Sequence, residues 1–310
     1  MTPRRDVAAA AAPRRDVAAA AAPRPRVVLV GGVPMSGLVA AADDPKAVVV
    51  AFHGGASTAA YFDCPGHPEL SLLRTGAASG YTMIALDRPG YGSSAPYPEA
   101  MAQPEQRVAL TSGAIDKMLG EHPRGAGLFF LGHSAGCELA VRMATEVGGI
   151  GLELAGTGVE YHPETAEILK NATATQRPTG LRDILWQPAN LYPDDVLSGM
   201  TNSSGGALYE VGMTRSWPQH DFPALAARVG VPVQFTVAQH ERVWRSDPRT
   251  LAQIGAMFTS SPRFVLNQQA DTGHNLSLSF SAPAYHSSVL SFVEGCVAAQ
   301  QDTSNEREAG

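Results

Sequence analysis

Residues 128–141 read LFFLGHSAGCELAV, an apolar run that stops at Gly132-His133-Ser134-Ala135-Gly136 and resumes with helical spacing. An ordinary loop would use Asn, Asp or Pro. Glycines two places either side of one serine predict something narrower, a strand-to-helix turn too tight for side chains around it. Such a turn needs a strand ending inside a layered core and a helix packing straight back onto it. That is the unit from which parallel sheets are built.

The same alternation runs along most of the chain. AVVVAF (47–52) and YTMIAL (81–86) are continuous apolar runs, as strands covered on both faces require. Val108, Ser112, Ile115 and Leu119 fall on one helical face. Further strands are predicted at GIGLEL (149–154), VPVQFTVA (231–238) and RFVL (263–266), with a helix around Leu251–Phe258. A last helix carries the stripe Tyr285, Val289, Phe292, Val293, Cys296 and Val297. RVVLVGGV and SGLVAAA predict two short strands around a turn at Pro34-Met35. The predicted fold class is therefore α/β, a mostly parallel central sheet flanked by helices.

Residues 27–155 and 221–299 make up that core. Residues 156–220 break the alternation: they hold Trp186, Leu191, Met200, Met213 and Trp217 with five prolines and no clear strand, which predicts an inserted helical lid. PRRDVAAAAA occurs at 3–12 and again at 13–22, so residues 1–26 are expected to be a disordered extension, and 300–310 a polar tail.

A net charge of −6 argues against nucleic acid or an anionic membrane as partner, and no apolar run is long enough to span a bilayer. Cys64, Cys137 and Cys296 are few and irregularly spaced, which indicates neither a disulfide framework nor a zinc site. The expectation is a cytoplasmic protein whose reduced thiols fit that compartment. Asp6 and Asp16 interrupt the N-terminal alanine runs, which reads against an export signal.

A serine hydroxyl becomes a nucleophile when an imidazole can take its proton and a carboxylate orients that imidazole. Four motifs supply such parts in order: FHGG at 52–55, DRPGYGSS at 87–94, GHSAG at 132–136 and DTGHNLSLS at 271–279. On these the chain resembles the α/β-hydrolases from about residue 27 to 299. The resemblance implies Ser134 as nucleophile, His274 as base, and the backbone amides of Gly55 and Ala135 as an oxyanion hole. It implies a triad acid after VPV. Here Glu241 stands where aspartate is usual and Ala238 where glycine is usual, which leaves Asp247, Asp271 and Glu160 as alternatives.

His133 and His53 read as structural, His240 and His286 as surface or core residues, and Cys137 as small apolar filler. The expected activity is hydrolysis of an ester or thioester through an acyl-enzyme, on a small-molecule substrate with an apolar portion and with no metal or organic cofactor. Serine rather than aspartate at 134 argues against epoxide or haloalkane hydrolysis through an ester intermediate. Acyl transfer, carbon–carbon bond hydrolysis and non-catalytic ligand binding on the same fold are the alternatives. The sequence does not fix the oligomeric state.

Overall fold

The computed structural model describes residues 22–170, 180–199, 202 and 205–309. The alanine–arginine repeat up to residue 21 and Met200 lie outside the described residues.

Eight strands form one sheet: β1 (Arg24–Val30), β2 (Val33–Ala40), β3 (Val48–Phe52), β4 (Thr82–Leu86), β5 (Leu128–His133), β6 (Gly151–Ala155), β7 (Val233–Ala238) and β8 (Phe264–Gln269). Their spatial order is β1-β2-β4-β3-β5-β6-β7-β8. Strand β2 runs antiparallel to both neighbours, and β3 to β8 are mutually parallel. Successive strands switch sides around β3, which has β4 on one flank and β5 on the other. Such a switch opens a crevice at the carboxyl ends of the strands, where ligands bind in open parallel sheets.

Helices α1 (Leu72–Ala78), α2 (Pro104–Leu119) and α3 (Gly136–Glu146) alternate with the strands. Between β6 and β7 come α4 (Pro163–Leu169), α5 (Leu181–Leu185), α6 (Asp194–Leu197) and α7 (Glu210–Ser216). A π-helical turn, Trp217–Asp221, joins α7 to α8 (Phe222–Ala226), and α9 (Pro248–Met257) and α10 (Ala282–Ala309) follow. No helix among the described residues is long and apolar enough to cross a membrane.

The period of two along each strand divides the core into two layers. Val48, Val50 and Phe52 of β3 join a cluster with Ile115 of α2, Leu139 and Met143 of α3, Leu225 of α8 and Ile254 of α9. Val49 and Ala51 face the other way, onto Leu72 and Leu73 of α1 and Tyr285, Val289 and Val293 of α10. Each fully buried Val, Leu, Ile or Phe stabilises the fold by roughly 1.5–3 kcal/mol, so the apolar runs are what fix the sheet.

Three expectations are corrected. The first turn lies at Gly31-Gly32, both with positive φ (56° and 86°), and not at Pro34-Met35. Two consecutive left-handed residues make the tight hairpin turn whose twist suits adjacent strands. Pro34 and Met35 instead pair with Leu29 and Val28 inside the ladder. Strand β1 begins at Arg24, within the segment expected to be an extension, because its first residues pair with Val39, Leu38 and Gly37. Helix α10 continues to Ala309, through the stretch expected to be a tail.

In β6, Glu153 is fully buried, and the Tyr285 hydroxyl donates to its Oε1 at 3.1 Å. Burial pushes its carboxyl up to about 8, against hydrogen bonds that favour the ionised form. Between the ordinary carboxyl value and about 8, the folded chain holds a proton that the unfolded chain has released. Stability therefore falls as pH rises through that window. Glu153→Gln keeps an acceptor for Tyr285 and should raise Tm more at pH 8 than at pH 5. Scanning calorimetry at the two pH values checks this; equal shifts would mean that Glu153 does not titrate between them.

Candidate active site

Ser134 stands between β5 and α3 with φ +53°, a left-handed backbone that costs a non-glycine residue roughly 1–2 kcal/mol. Two bonds hold the turn: its amide donates to the Ala155 carbonyl at 2.8 Å, and its carbonyl accepts from the Cys137 amide at 3.0 Å. The flanking glycines are sterically required. A Cβ on Gly132 would lie 2.6 Å from the Cys137 Cα, and one on Gly136 only 2.2 Å from the Phe52 carbonyl oxygen. The turn thus brings the first turn of α3 against the end of β3, and sets Ser134 half-buried at the N-terminus of that helix.

Ser134 lines a cavity of about 760 Å³, together with Gly55, Ala56 and Ala135. A methyl added at Gly55 would sit 3.9 Å from the Ala135 Cβ, so the two face each other beside the serine. Helix N-termini carry partial positive charge, and negative charge arising at this point would be stabilised by it. The far wall is mostly apolar, with Val159, Tyr161, Leu169, Met213, Trp217 and Trp244 among its residues. Of the large residues singled out in 156–220, Met213 and Trp217 line the cavity. Trp186 and Leu191 instead pack on the α1/α10 layer of the core, with Trp186 edge-on to Tyr192 at 5.2 Å.

The structure brings His274 and Glu241 together. Imidazole Nδ1 lies 3.0 Å from each Glu241 oxygen, and both side chains are almost fully buried, at 1% and 3% exposure. The Val243 amide donates to Glu241 Oε1 at 2.8 Å. Burial pushes the Glu241 carboxyl up, but the adjacent imidazole and the Val243 and Trp244 amides outweigh it and leave it below the usual value. His274 Nε2 is buried without a hydrogen-bond partner among the described residues.

The alternative carboxylates are engaged elsewhere. Asp247 caps α9 through Thr250 and meets Arg245, Glu160 pairs with Arg245, and Asp271 is exposed. Among the described residues, no three His, Cys, Asp or Glu side chains cluster as metal ligands.

His133 and His53 hold backbone through their rings. His133 is buried, stacks on Tyr61 at 4.4 Å and bonds the His274 carbonyl at 2.9 Å through Nε2. Burial, then the neighbouring His274, keeps its pKa well below the ordinary value, so it is neutral and Nε2–H is the donor. His53 bonds the Gly54 carbonyl through Nδ1 at 2.8 Å and accepts the Arg88 amide at Nε2. Burial and the Arg88 charge keep it neutral too. His286 is buried in α10, where burial lowers it to about 3, and the His240 amide donates to the Thr272 carbonyl. Cys137 is fully buried, with its thiol on the Gly132 carbonyl at 3.2 Å.

Residues that the sequence reading passed over complete the surroundings. Tyr192 Oη accepts from the Asn275 amide, Trp244 Nε1 donates to the Gly156 carbonyl, and Arg88, Tyr91 and Glu210 form a buried group beside Gly54 and Gly55. Arg88 and Tyr91 belong to the DRPGYGSS motif, whose composition marks a turn but does not reveal what its side chains reach.

The family profile described as "Alpha/beta hydrolase family" matches residues 47–285, and the chain belongs to that family. No curated protein sequence matches it. Among solved structures it is similar to a thioesterase domain from the curacin biosynthetic pathway, with 19% identity, a TM-score of 0.60, and 87% of this chain and 100% of that one covered. It is also similar to a highly thermostable carboxyl esterase from Bacillus coagulans, with 14% identity, a TM-score of 0.61, and 89% and 99% covered. An epoxide hydrolase from Vigna radiata gives 14% identity, a TM-score of 0.60, and 88% and 98% covered. At these identities the likeness is one of fold.

Close packing at the turn yields a stability prediction. Gly136→Ala places its methyl against the Phe52 and His53 carbonyls, and should destabilise the protein by about 1–3 kcal/mol in denaturant titration. A midpoint equal to wild type would mean that β3 and α3 can part without cost.

Proposed function

We propose that the protein is a serine hydrolase cleaving an ester or thioester with an apolar acyl portion. The observation that carries this reading is the buried His274–Glu241 pair, whose imidazole lies 5.1 Å from the ring of His133, the residue before a left-handed Ser134 that lines an apolar cavity. With Nδ1–H donated to Glu241, the lone pair of His274 is on Nε2, the nitrogen without a partner. That tautomer accepts the Ser134 proton as Oγ attacks the carbonyl carbon.

The oxyanion of the tetrahedral intermediate is met by the Gly55 and Ala135 amides, supported by the N-terminus of α3. Protonated His274 then gives its proton to the departing alkoxide or thiolate. Water, activated by the same imidazole, releases the acid from the acyl-enzyme and restores Ser134. Glu241 remains ionised throughout and stabilises the imidazolium. Residues 156–220 act as a lid whose apolar face receives the acyl chain. The esterase and thioesterase folds that the chain resembles fit this reading, and the epoxide hydrolase fold is accommodated without its chemistry because residue 134 is serine.

Ser134→Ala should lower kcat by several powers of ten without changing Tm, and should abolish labelling by a fluorophosphonate. Labelling and turnover undiminished in the variant would refute the assignment. Glu241→Gln should cost about ten-thousand-fold in kcat, and Asp271→Asn about tenfold or less; the reverse order would make Asp271 the acid. Along a series of acetyl to octanoyl esters, kcat/KM should rise, since each buried methylene contributes about 0.8 kcal/mol. A flat series would contradict an acyl-binding role for the cavity.

A further inference from the structure

We infer that Glu210, at the start of α7, is a positioning residue that sets the oxyanion loop His53–Ala56 through Arg88 and Tyr91. This rests on the serine-hydrolase reading above and assigns a role to a carboxylate which that mechanism does not use.

Arg88 is 1% exposed and bonded on several sides. Its Nε donates to the His53 carbonyl at 2.6 Å, and its Nη2 to the Gly54 carbonyl at 3.1 Å and to Glu210 Oε1 at 2.5 Å. Its backbone amide donates to His53 Nε2 at 3.1 Å. Tyr91 is the second arm: its hydroxyl accepts from the Ala56 amide at 3.0 Å and donates to Glu210 Oε2 at 2.6 Å. Both oxygens of Glu210 are therefore committed to side chains that grip the loop.

The geometry that matters is that of one peptide plane. The Gly54 carbonyl and the Gly55 amide belong to the same rigid unit and point in opposite directions. Donors on the Gly54 oxygen, from Arg88 and from His53 Nδ1, thereby fix where the Gly55 N–H aims. The Ala56 bond to Tyr91 holds the other side of the same glycine. Glycines rotate freely, so a loop containing two in succession needs such restraint to present its donor without reorganisation.

Arg88 can do this only with a counter-charge, because an unpaired guanidinium does not stay buried. Among the described residues, Glu210 is its one carboxylate partner within ion-pair distance, and it comes from the segment between β6 and β7. Burial works against the Arg88 charge and the Glu210 carboxylate outweighs it. Glu210 also lies close over the loop: its Oε2 is 3.5 Å from where a Gly55 side chain would begin. A bare carboxylate there would repel an oxyanion, and pairing with Arg88 is what makes its presence tolerable.

The test uses the full chain, a short acetyl ester that leaves the apolar cavity largely empty, and a trifluoromethyl ketone whose adduct places an oxyanion in the hole. Tyr91→Phe and Glu210→Ala should lower kcat by about ten- to a hundredfold with KM changed less than about threefold, and weaken the ketone by the same factor as kcat. Tyr91→Phe keeps the ring and the Arg88–Glu210 pair, and so carries the test if Glu210→Ala does not fold. A lid merely held in place by Glu210 would move KM and leave ketone affinity per turnover unchanged. Folded variants with wild-type kcat and ketone affinity, or with an effect on KM alone, would overturn the inference while wild-type turnover and Ser134 labelling leave the hydrolase reading intact. A wild type without turnover or labelling would overturn both.

Discussion

The site depends on one backbone constraint, the left-handed conformation of Ser134 between two glycines that leave no room for side chains. Roughly 1–2 kcal/mol of local strain is held there by the Ala155 and Cys137 backbone bonds and by the packing of α3 on β3. Because that approach is so close, the ends of β3, β5 and β6 and the start of α3 share one location. The loop after β3 brings Gly55, the turn after β5 brings Ser134, and Gly156 after β6 lies against both His133 and His274. Relaxing the turn would separate all of these at once.

Charge is treated consistently around this point. His53 and His133 are buried and driven towards neutrality, so they serve as hydrogen-bonding shapes. The buried ions that persist are paired: Glu241 with His274, Glu138 with Arg107 and Arg142, and Arg88 with Glu210. Buried charge without a partner is costly, and apart from Glu138–Arg142 within α3 these pairs also join separate parts of the chain. The Arg107–Glu138 pair ties α2 to α3, and Arg88–Glu210 ties the loop after β4 to α7.

Most of the sheet was legible because its strands are buried on both faces, and a run such as Val48–Phe52 admits few other readings. The first hairpin was misread because Pro34-Met35 looks like a turn by composition, whereas Gly31-Gly32 supply the two left-handed residues the hairpin needs. Pro34 sits next to that turn, in the strand adjacent to the edge strand β1. Ser134, His274 and Glu241 could be proposed from local motifs because each follows a recognisable strand. Glu210 could not. It is 122 residues from Arg88 in a segment without periodicity, and only the folded chain shows that the two meet.

That pairing limits how the protein can diversify. Residues between β6 and β7 form much of the cavity wall, and in an α/β fold such an insertion is the natural place to exchange one specificity for another. Here the exchange is not free. A replacement segment must bring an acid to the position of Glu210 or strand Arg88 in the interior, at a cost of about 3–5 kcal/mol. Grafting a new wall therefore also means inheriting the ion pair, so the variable part of this enzyme carries one residue that belongs functionally to its constant part.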